Sequence, residues 1–145
     1  GKVTLFDIGA KVPFLVRSPG ISKSGTTSEA MVELIDIYPT FADLAGLEVP
    51  NHLQGISLRP LLGNPERLGK KKFAYSVVTR GPKNLGYALR NQNWRYGKWP
   101  DGEELYNLRI DPQEKNNLAQ KEHLKERLDV FRNALAKQQE FIQQN

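Results

Sequence analysis

The sequence predicts an α/β fold class, in the form of an α+β fragment that ends in a small four-stranded antiparallel sheet closed by a C-terminal helix. Three patterns indicate this class: apolar residues at helical spacing around Pro39, short strands separated by turn sequences after residue 70, and an amphipathic last segment. The chain has 145 residues, of which 39% are apolar and 26% charged. These values are typical of a folded globular chain rather than a disordered one.

The first half of the chain predicts one strand and a helix that is divided by proline. Residues 12–16 form a nearly continuous apolar run, which is typical of a strand covered on both faces. Thr26 and Glu29 have the spacing of a capping box, which starts a helix. Because proline lacks an amide proton, Pro39 divides this helix and lies in the first turn of a second one, which Gly46 ends. The apolar positions on one helical face are Met31, Leu34, Ile35, Tyr38, Phe41, Ala42 and Ala45.

The second half of the chain predicts an antiparallel sheet and a closing helix. Proline and glycine punctuate residues 47–69, so the predicted boundary separates residues 1–69 from residues 70–145. Apolar residues recur at helical intervals from Leu124 to Ile142, which predicts one amphipathic helix across the sheet. The strands are predicted at 73–79, 86–90, 94–99 and 104–108, with turn sequences at 91–93 and 100–102.

The residue types present exclude or disfavour several kinds of site. The chain has no cysteine, which excludes disulfides, thiolate zinc sites and cysteine nucleophiles. Its two histidines, His52 and His123, do not have metal-ligand spacing, so no metal site is expected in this chain. No apolar run approaches the roughly 20 residues of a membrane span, so no membrane partner is expected. Asp36 lies at an apolar helix end, where we expect it to cap the backbone at the Tyr38–Pro39 break.

Positive charge and aromatic residues are concentrated in the predicted sheet. The formal net charge is +5, and no acidic residue occurs between Arg67 and Lys98. This combination suits single-stranded nucleic acid, through phosphate contacts and base stacking, and it also suits a sulfated sugar. A third interpretation, which composition alone favours, is that alternate residues of each strand simply face water. The basic residues are Arg67, Lys70, Lys71, Lys72, Arg80, Lys83, Arg90, Arg95 and Lys98, interleaved with Tyr75, Tyr87, Trp94, Tyr96 and Trp99.

Four groups of motifs span nearly the whole chain. They are GKVTLFD at 1–7 with KVPF at 11–14 and SPG at 18–20; VELIDIYPT at 32–40 with LAG at 44–46; QGISLRPLL at 54–62; and ELYNL at 104–108 with DP at 111–112, Glu114 and NLA at 117–119. In this order they resemble the type I sulfatases of the alkaline-phosphatase-like superfamily. The run GYALR at 86–90, with WRY at 94–96 and Trp99, is most similar to the iduronate-2-sulfatase branch of that family.

The resemblance implies a fold, an activity and a division of the catalytic parts. It implies the C-terminal portion of an alkaline-phosphatase-like fold in an enzyme that hydrolyses sulfate esters, with the 2-O-sulfate of a uronic acid in glycosaminoglycan-like polysaccharide as candidate substrate. In this family a Cys or Ser in C/S-x-P-x-R becomes a formylglycine nucleophile, and a calcium ion binds the sulfate. The motif does not occur in this sequence. The nucleophile, the calcium ligands and an N-terminal sulfatase domain are therefore expected before Gly1, and this portion alone is expected to bind no calcium and to be inactive.

One catalytic residue carries over from the family, because Lys2 matches the lysine of its G-K-x-T motif, which contacts the substrate sulfate. The candidates for substrate binding are His52, Arg80, Arg90 and Trp94. The family suggests a periplasmic, extracellular or lysosomal location, although the sequence itself assigns none. Two alternatives stay open: a phosphonate or phosphate monoester hydrolase of the same superfamily, and a nucleic-acid-binding module built on the basic sheet, which is the less favoured class.

Overall fold

A computed structural model describes residues 3–81 and 84–144 of the chain, except for the side chains of residues 143 and 144. These residues form four strands, four α-helices and two short 3₁₀ turns. None of the described helices is long and apolar enough to cross a membrane.

Contacts divide the chain into two units, which are described separately. The first unit contains Gly1–Val12 together with Tyr75–Asn145, and the second contains Pro13–Ala74. The sequence did not predict that the first residues would group with the sheet. The assignment of residues 1–69 to the end of a larger α/β domain stays a prediction.

The first unit is built on a four-stranded antiparallel sheet in which the strands lie in the order β1-β2-β3-β4. In its register, Leu89 pairs with Tyr96, and Tyr96 pairs with Leu105. The predicted fold class is confirmed, and each strand begins and ends within two residues of the prediction. The strands are β1 (Ala74–Thr79), β2 (Leu85–Arg90), β3 (Trp94–Trp99) and β4 (Gly102–Asn107).

One face of the sheet lies beneath helix α4 (Lys125–Gln144), as the sequence predicts. Tyr96 and Leu105 are buried on this face, and the Phe131 ring of α4 lies 5.9 Å from the Tyr96 ring. The buried apolar residues of α4 are Leu128, Phe131 and Leu135. They recur at helical spacing and form the stripe that attaches the helix to the sheet.

The opposite face lies beneath residues 3–10, here called the N-terminal segment, which ends in the one-turn helix α1 (Asp7–Ala10). Leu5 is 2% exposed, and the Phe6 ring lies 5.8 Å from the ring of Tyr106 on β4. Because side chains alternate along a strand, Tyr106 and its β3 partner Arg95 point away from α4. The sheet therefore carries a helix on one face and the N-terminal segment on the other.

The second unit contains short helices joined by irregular chain. A 3₁₀ turn at Leu34–Asp36 continues into helix α2 (Ile37–Leu44), and helix α3 (Arg59–Gly63) follows after a loop. Pro39 lies in the first turn of α2, and Gly46 follows the helix with a φ of 70°. The predicted place of Pro39 in a first helical turn and the predicted glycine stop are confirmed, whereas the predicted helix before Pro39 is absent, because only the 3₁₀ turn directly precedes α2.

Two local predictions are wrong. Residues 12–16 have no regular secondary structure and form no strand, because the described sheet contains only β1–β4. Thr26 does not start a helix, because its hydroxyl donates to the carbonyl oxygen of Lys23 at 2.7 Å and the chain stays irregular up to the 3₁₀ turn. The capping box is formed instead by Glu33 and Asp36, each of which accepts a hydrogen bond from the backbone N–H of the other.

The apolar stripe predicted around Pro39 is largely exposed in the second unit. Leu34, Tyr38 and Phe41 are 68%, 62% and 63% exposed, and Ile35 is exposed too, whereas Ala42 is buried. Spacings of three and four residues place the four exposed side chains on one side of the helical segment. We call Leu34, Ile35, Tyr38 and Phe41 the α2 apolar face. The predicted sharing of one helical face is therefore confirmed for these four positions, and the structure adds that this face is exposed within the described residues.

Candidate active-site segment

The predicted catalytic residue Lys2 lies outside the described residues, directly before the N-terminal segment. Val3 is the first described residue, and the contacts of residues 3–7 therefore make up the part of the candidate site that can be described. These contacts come from the sheet and from the turn that follows it.

Stacked side chains hold Phe6 on the sheet. The guanidinium carbon of Arg95 lies 4.4 Å from the ring centroid of Phe6 and 4.7 Å from that of Tyr106. Arg95 is only 1% exposed. A cation that is withdrawn from water and lies over an aromatic ring gains about 2 kcal/mol from the ring quadrupole. Arg95 therefore attaches the N-terminal segment to β3 without a hydrogen bond to it.

Two carboxylates pair with Arg95. Its Nε donates to Oε1 of Glu114, and its Nη2 donates to Oε2 of Glu104 at 3.1 Å. Glu114 is 7% exposed, so this ion pair is buried on both sides. Nη1 of Arg95 is also buried and has no hydrogen-bond partner within the described residues, which leaves the aromatic contacts to offset its loss of water. A Cβ at Gly97 would lie 2.9 Å from this Nη1, so the guanidinium occupies the space above the glycine.

Glu114 also binds the N-terminal segment. Its Oε2 accepts a hydrogen bond from the backbone N–H of Asp7 at 2.7 Å, across a separation of 107 residues. That N–H is one of the donors that the first turn of a helix leaves unpaired. One carboxylate therefore joins the start of α1 to the buried Arg95.

The turn that carries Glu114 is built by Asp111. The carboxylate of Asp111 accepts from the backbone N–H of Lys115 at 3.1 Å and from that of Asn116 at 2.8 Å. These backbone hydrogen bonds, that from Asn116 first, hold the pKa of Asp111 below its ordinary value. Within this turn Glu114 has a φ of 54°, a conformation that residues with a Cβ rarely adopt. This strained backbone conformation accompanies a Glu114 carboxylate that points towards Arg95 on the sheet face.

Arg90 makes the second link to Asp7. Its Nε lies 3.0 and 3.1 Å from the two carboxylate oxygens of Asp7, and its Nη1 donates to the carbonyl oxygen of Asn91 at 3.0 Å. Both side chains are mostly buried. The assignment of Arg90 to substrate binding stays a prediction, and the described geometry adds a role in holding the N-terminal segment.

Arg80 lies beside the residue that follows Lys2. Its Nη2 is 3.5 Å from the carbonyl oxygen of Val3, and its guanidinium carbon is 4.6 Å from the ring centroid of Trp99. The Trp99 ring lies flat against Gly86, where a Cβ would come within 2.5 Å of it. Arg80 is exposed, so its charge is accessible to an anion from solution.

The other two predicted substrate residues lie elsewhere. Trp94 is on the α4 side of the sheet, where the guanidinium carbon of Arg127 lies 4.5 Å from its ring centroid. His52 is an exposed turn residue of the second unit. Arg80 and Arg90 therefore contact the N-terminal segment, whereas Trp94 lies on the opposite face of the sheet. The substrate roles of all four residues stay predictions.

An ion-pair cluster of another kind lies on the α4 face. Glu103 accepts from the hydroxyl of Tyr96 at 2.6 Å and pairs with Arg132 of α4. The hydrogen bond from Arg132 is the main reason that the pKa of Glu103 is lowered to about 2. Burial and the neighbouring carboxylate raise the pKa of Tyr96. This cluster attaches α4 to the sheet and does not involve the N-terminal segment.

In the second unit, the sulfatase-like motif VELIDIYPT is organised around Asp36. Its carboxylate is fully buried and accepts from the backbone N–H of Glu33 and that of Ile56, both at 2.9 Å. Nζ of Lys71 donates to the same carboxylate at 2.7 Å and also pairs with Glu33. Asp36 therefore caps backbone N–H groups, but those of Glu33 and Ile56 and not those at the Tyr38–Pro39 break, where the sequence predicts the cap, because it makes no side-chain hydrogen bond to the start of α2.

The motif QGISLRPLL is fastened to α2 by the same centre. The hydroxyl of Thr40 accepts from the backbone N–H of Leu58 at 2.9 Å and donates to the carbonyl oxygen of Asp36 at 2.6 Å. A Cβ at Gly55 would lie 2.0 Å from the carbonyl oxygen of Ile35, so only glycine fits there. The two motifs form one packed structural centre.

The described residues do not hold a metal-binding arrangement. Over residues 3–81 and 84–144, no three His, Asp or Glu side chains lie close enough together to ligate a metal ion. The predicted calcium ion does not fit the described part of this chain, and no chemical step is assigned to it here.

Sequence reasoning missed the centre formed by Arg95, Glu104 and Glu114. Arg95 was counted with a basic surface, although it is buried, and Lys71 is engaged in ion pairs as well. Lys83 of the same predicted surface lies outside the described residues. One signal was available, because the acids Asp7 and Glu114 both fall on sulfatase-like motifs, but nothing in their spacing indicates that they meet.

The fold is that of the C-terminal part of alkaline-phosphatase-like hydrolases. A solved structure of a protein in complex with its substrate, D-glucosamine-2-N,6-O-disulfate, matches with a TM-score of 0.81 at 30% identity, covering 89% of this chain and 28% of that chain. The phosphonate monoester hydrolase of Silicibacter pomeroyi matches with a TM-score of 0.80 at 24% identity, covering 95% of this chain and 30% of that chain. The second likeness is one of fold alone.

Sequence comparison identifies the family within this class. Residues 1–141 match the family described as N-sulphoglucosamine sulphohydrolase, C-terminal. Arylsulfatase K of Rattus norvegicus is 34% identical over 129 residues, which cover 81% of this chain and 23% of the relative. The chain therefore belongs to this sulfatase family, and it spans about a quarter of the length of the curated relatives that it matches. The finer resemblance to the iduronate-2-sulfatase branch stays a prediction.

Proposed function

We propose that this chain is the C-terminal portion of a sulfatase that hydrolyses the sulfate ester of a sulfated sugar. The family match over residues 1–141 supports the reaction class, and the substrate-bound relative supports the substrate class. One structural observation carries the proposal: the motif GKVTLFD is docked on the sheet by Leu5, Phe6 and Asp7, directly after the segment that holds the candidate lysine.

Lys2 is assigned to the sulfate group of the substrate. Hydrolysis transfers the sulfuryl group to the oxygen of water, breaks the bond between sulfur and the sugar oxygen, and returns a proton to that oxygen. Negative charge gathers on the sulfuryl and leaving oxygens as the bond breaks. A lysine ammonium is a compact cation with three donors, so it stabilises this charge when it is held in place.

The nucleophile and the metal ligands are assigned to the part of the sulfatase that precedes this chain. The family resemblance supports a formylglycine and a calcium ion there, and the relatives are about four times longer than this chain. The chain by itself is accordingly proposed to be inactive.

The α2 apolar face is assigned to contact with that preceding part. Leu34, Tyr38 and Phe41 are more than half exposed, although large apolar side chains favour burial by about 1.5–3 kcal/mol each. The length of the relatives supplies a partner of sufficient size in the same protein. Replacing Tyr38 with Asp should therefore destabilise the full-length enzyme more than the isolated chain.

Two sulfated sugars are candidate substrates, and they differ in the position of the sulfate. The substrate of the solved relative supports a 6-O- or N-sulfated glucosamine, whereas the resemblance of residues 86–99 supports a 2-O-sulfated uronic acid. A phosphonate or phosphate monoester is the second candidate, supported by the likeness of fold to the Silicibacter pomeroyi enzyme. Nucleic acid is disfavoured as a partner because Lys71, Arg90 and Arg95 are engaged in ion pairs within the chain.

The test uses the full-length enzyme that carries this chain. Its kcat/KM is measured on sulfated glucosamine, on a 2-O-sulfated uronic acid disaccharide, and on 4-nitrophenyl sulfate beside 4-nitrophenyl phosphate. Lys2→Ala should lower sulfatase kcat/KM about a hundredfold. Lys11→Ala, which removes an exposed lysine near the same segment, should leave it unchanged. A Lys2→Ala enzyme within a few-fold of the wild type would show that the assignment of Lys2 is wrong.

A further inference from the structure

We propose that Asp7, Arg90 and Glu114 are positioning residues for Lys2, so that the C-terminal sheet determines where the catalytic ammonium lies. This inference rests on the proposed function of Lys2 as the sulfate contact. It assigns to Arg90 a role that differs from direct substrate binding.

The attachments converge on a few consecutive residues. Glu114 accepts a hydrogen bond from the backbone N–H of Asp7, Arg90 donates to its carboxylate, and Leu5, two residues earlier, is buried. Consecutive Cα atoms are about 3.8 Å apart, so a chain fixed at residues 5–7 leaves a short path to Lys2. Arg80 contacts the chain one residue after Lys2, because its Nη2 lies near the carbonyl oxygen of Val3.

Arg90 binds the Asp7 carboxylate and the backbone of its neighbour Asn91 at the same time. Its Nε reaches both oxygens of Asp7, and its Nη1 is bound to the backbone of Asn91. A guanidinium that is oriented in this way and mostly buried is already matched with an anion, so a substrate sulfate would have to displace Asp7. The arrangement therefore favours fixing Asp7 over binding substrate.

The charges of the cluster disfavour binding of an anion there. Asp7, Glu104 and Glu114 supply three negative charges, whereas Arg90 and Arg95 supply two positive ones. The cluster therefore does not attract the substrate sulfate away from Lys2.

The experiment measures kcat and KM of the full-length enzyme on 4-nitrophenyl sulfate for Asp7→Asn, in the wild-type and in the Lys2→Ala background. Asp7→Asn should lower kcat about tenfold to a hundredfold with KM nearly unchanged, because a displacement of about 1 Å has an effect of that size. In the Lys2→Ala background the same substitution should change kcat less than twofold. Arg90→Lys should keep less than half of the wild-type kcat, since one ammonium cannot replace the two guanidinium nitrogens that contact Asp7 and the Asn91 carbonyl oxygen.

The matched control is Glu103→Gln, which removes an ion pair from the opposite face of the same sheet. It should lower the melting temperature without lowering kcat more than twofold. If Asp7→Asn fails to fold, Glu114→Gln is taken through the same cycle. Equal losses in both backgrounds, or an equal loss in Glu103→Gln, would overturn the positioning role while leaving the proposed function intact. Full activity of Lys2→Ala would show that the assignment of Lys2 to the sulfate is wrong, and the positioning role would be wrong with it.

Discussion

Each unit of the chain buries a charged side chain, but the partners differ in kind. In the second unit, Asp36 is bound by two backbone N–H groups and by Lys71. In the first unit, Arg95 is bound by the carboxylates of Glu104 and Glu114 and by two aromatic rings. Backbone N–H groups supply most of the donors to Asp36, whereas the positive charge of Arg95 is offset by the carboxylates of Glu104 and Glu114, which are side chains.

The difference determines how far each centre reaches along the chain. The partners of Asp36 come from residues 33–71, all within the second unit. Those of Arg95 include Phe6, from the N-terminal segment, and Glu114, beyond the sheet. Asp36 therefore organises structure within one unit, whereas Arg95 brings together segments that are distant in sequence. Substitutions at the two centres should therefore differ in how much they lower the free energy of unfolding and in which unit they destabilise.

The largest effect is expected from the glycine beside the Asp36 centre, and the glycine beside the Arg95 centre is its comparison. In Gly55→Ala the new Cβ would lie 2.0 Å from a backbone oxygen, so the loop must move and the hydrogen bond from Ile56 to Asp36 is lost. We expect a loss of about 4 kcal/mol in the free energy of unfolding, from overpacking and a lost charged hydrogen bond. In Gly97→Ala the Cβ meets side-chain atoms, which can shift, so about 1–2 kcal/mol is expected.

Urea unfolding followed by circular dichroism measures both variants, with Gly102→Ala as the control. No atom lies within 4 Å of a Cβ at Gly102, so this variant should stay within about 0.5 kcal/mol of the wild type. A larger loss for Gly97→Ala than for Gly55→Ala would contradict the proposed difference between backbone and side-chain packing.

Arg95→Met comes next in size. The substitution leaves Glu114 buried without its cation, and removal of one partner from a buried ion pair costs about 3–4 kcal/mol. Both tryptophans lie on β3, so the urea transition measured by tryptophan fluorescence reports the first unit. Adding Glu114→Gln to Arg95→Met should recover part of the loss. No recovery in the double variant would show that the aromatic contacts, rather than the ion pair, carry the stability.

The same comparison explains what the sequence could predict. The sheet and α4 followed from local patterns, namely turn residues at 91–93 and 100–102 and the stripe of Leu128, Phe131 and Leu135. That Asp36 caps the backbone was predictable from its place at a helix end, although the place of its partners was not. These features depend on neighbours in the sequence.

The rest depends on partners that no local pattern reveals. Arg95 was assigned to a basic surface, because a strand sequence does not show which face a segment 90 residues away will cover. The exposure of the α2 apolar face was not predictable either, since apolar spacing shows which side chains share a face but not what covers it. The candidate site was predicted at Lys2 from a family motif, and its supports at Asp7 and Glu114 became visible only in three dimensions.

Asp36→Asn should have a moderate effect that is confined to the second unit. The amide nitrogen of asparagine cannot accept a hydrogen bond, so one of the two backbone N–H groups loses its partner, and Lys71 loses a charge partner. We expect a loss of about 2 kcal/mol. Hydrogen exchange read by mass spectrometry should show faster exchange in peptides from residues 33–58, with the sheet unchanged. Faster exchange of the sheet as well would show that the two centres are coupled.

The smallest effect is expected for Glu103→Gln. It compares the partly exposed ion pair of Glu103 and Arg132 with the two buried centres. The pKa of Glu103 is lowered to about 2 from an ordinary value of 4.5, chiefly by the hydrogen bond from Arg132. A lowered pKa stabilises the fold above pH 4.5, and this contribution is lost as the pH falls towards 2. The wild type should therefore exceed Glu103→Gln by no more than about 1 kcal/mol at pH 7, because Arg132 is partly exposed, and the difference should vanish near pH 2. Melting temperatures from pH 2 to 7 measure this difference, with Glu122→Gln, a highly exposed carboxylate, as the control that should show little pH-dependent change. A constant difference across that range would mean that Glu103 acts through packing rather than through its charge.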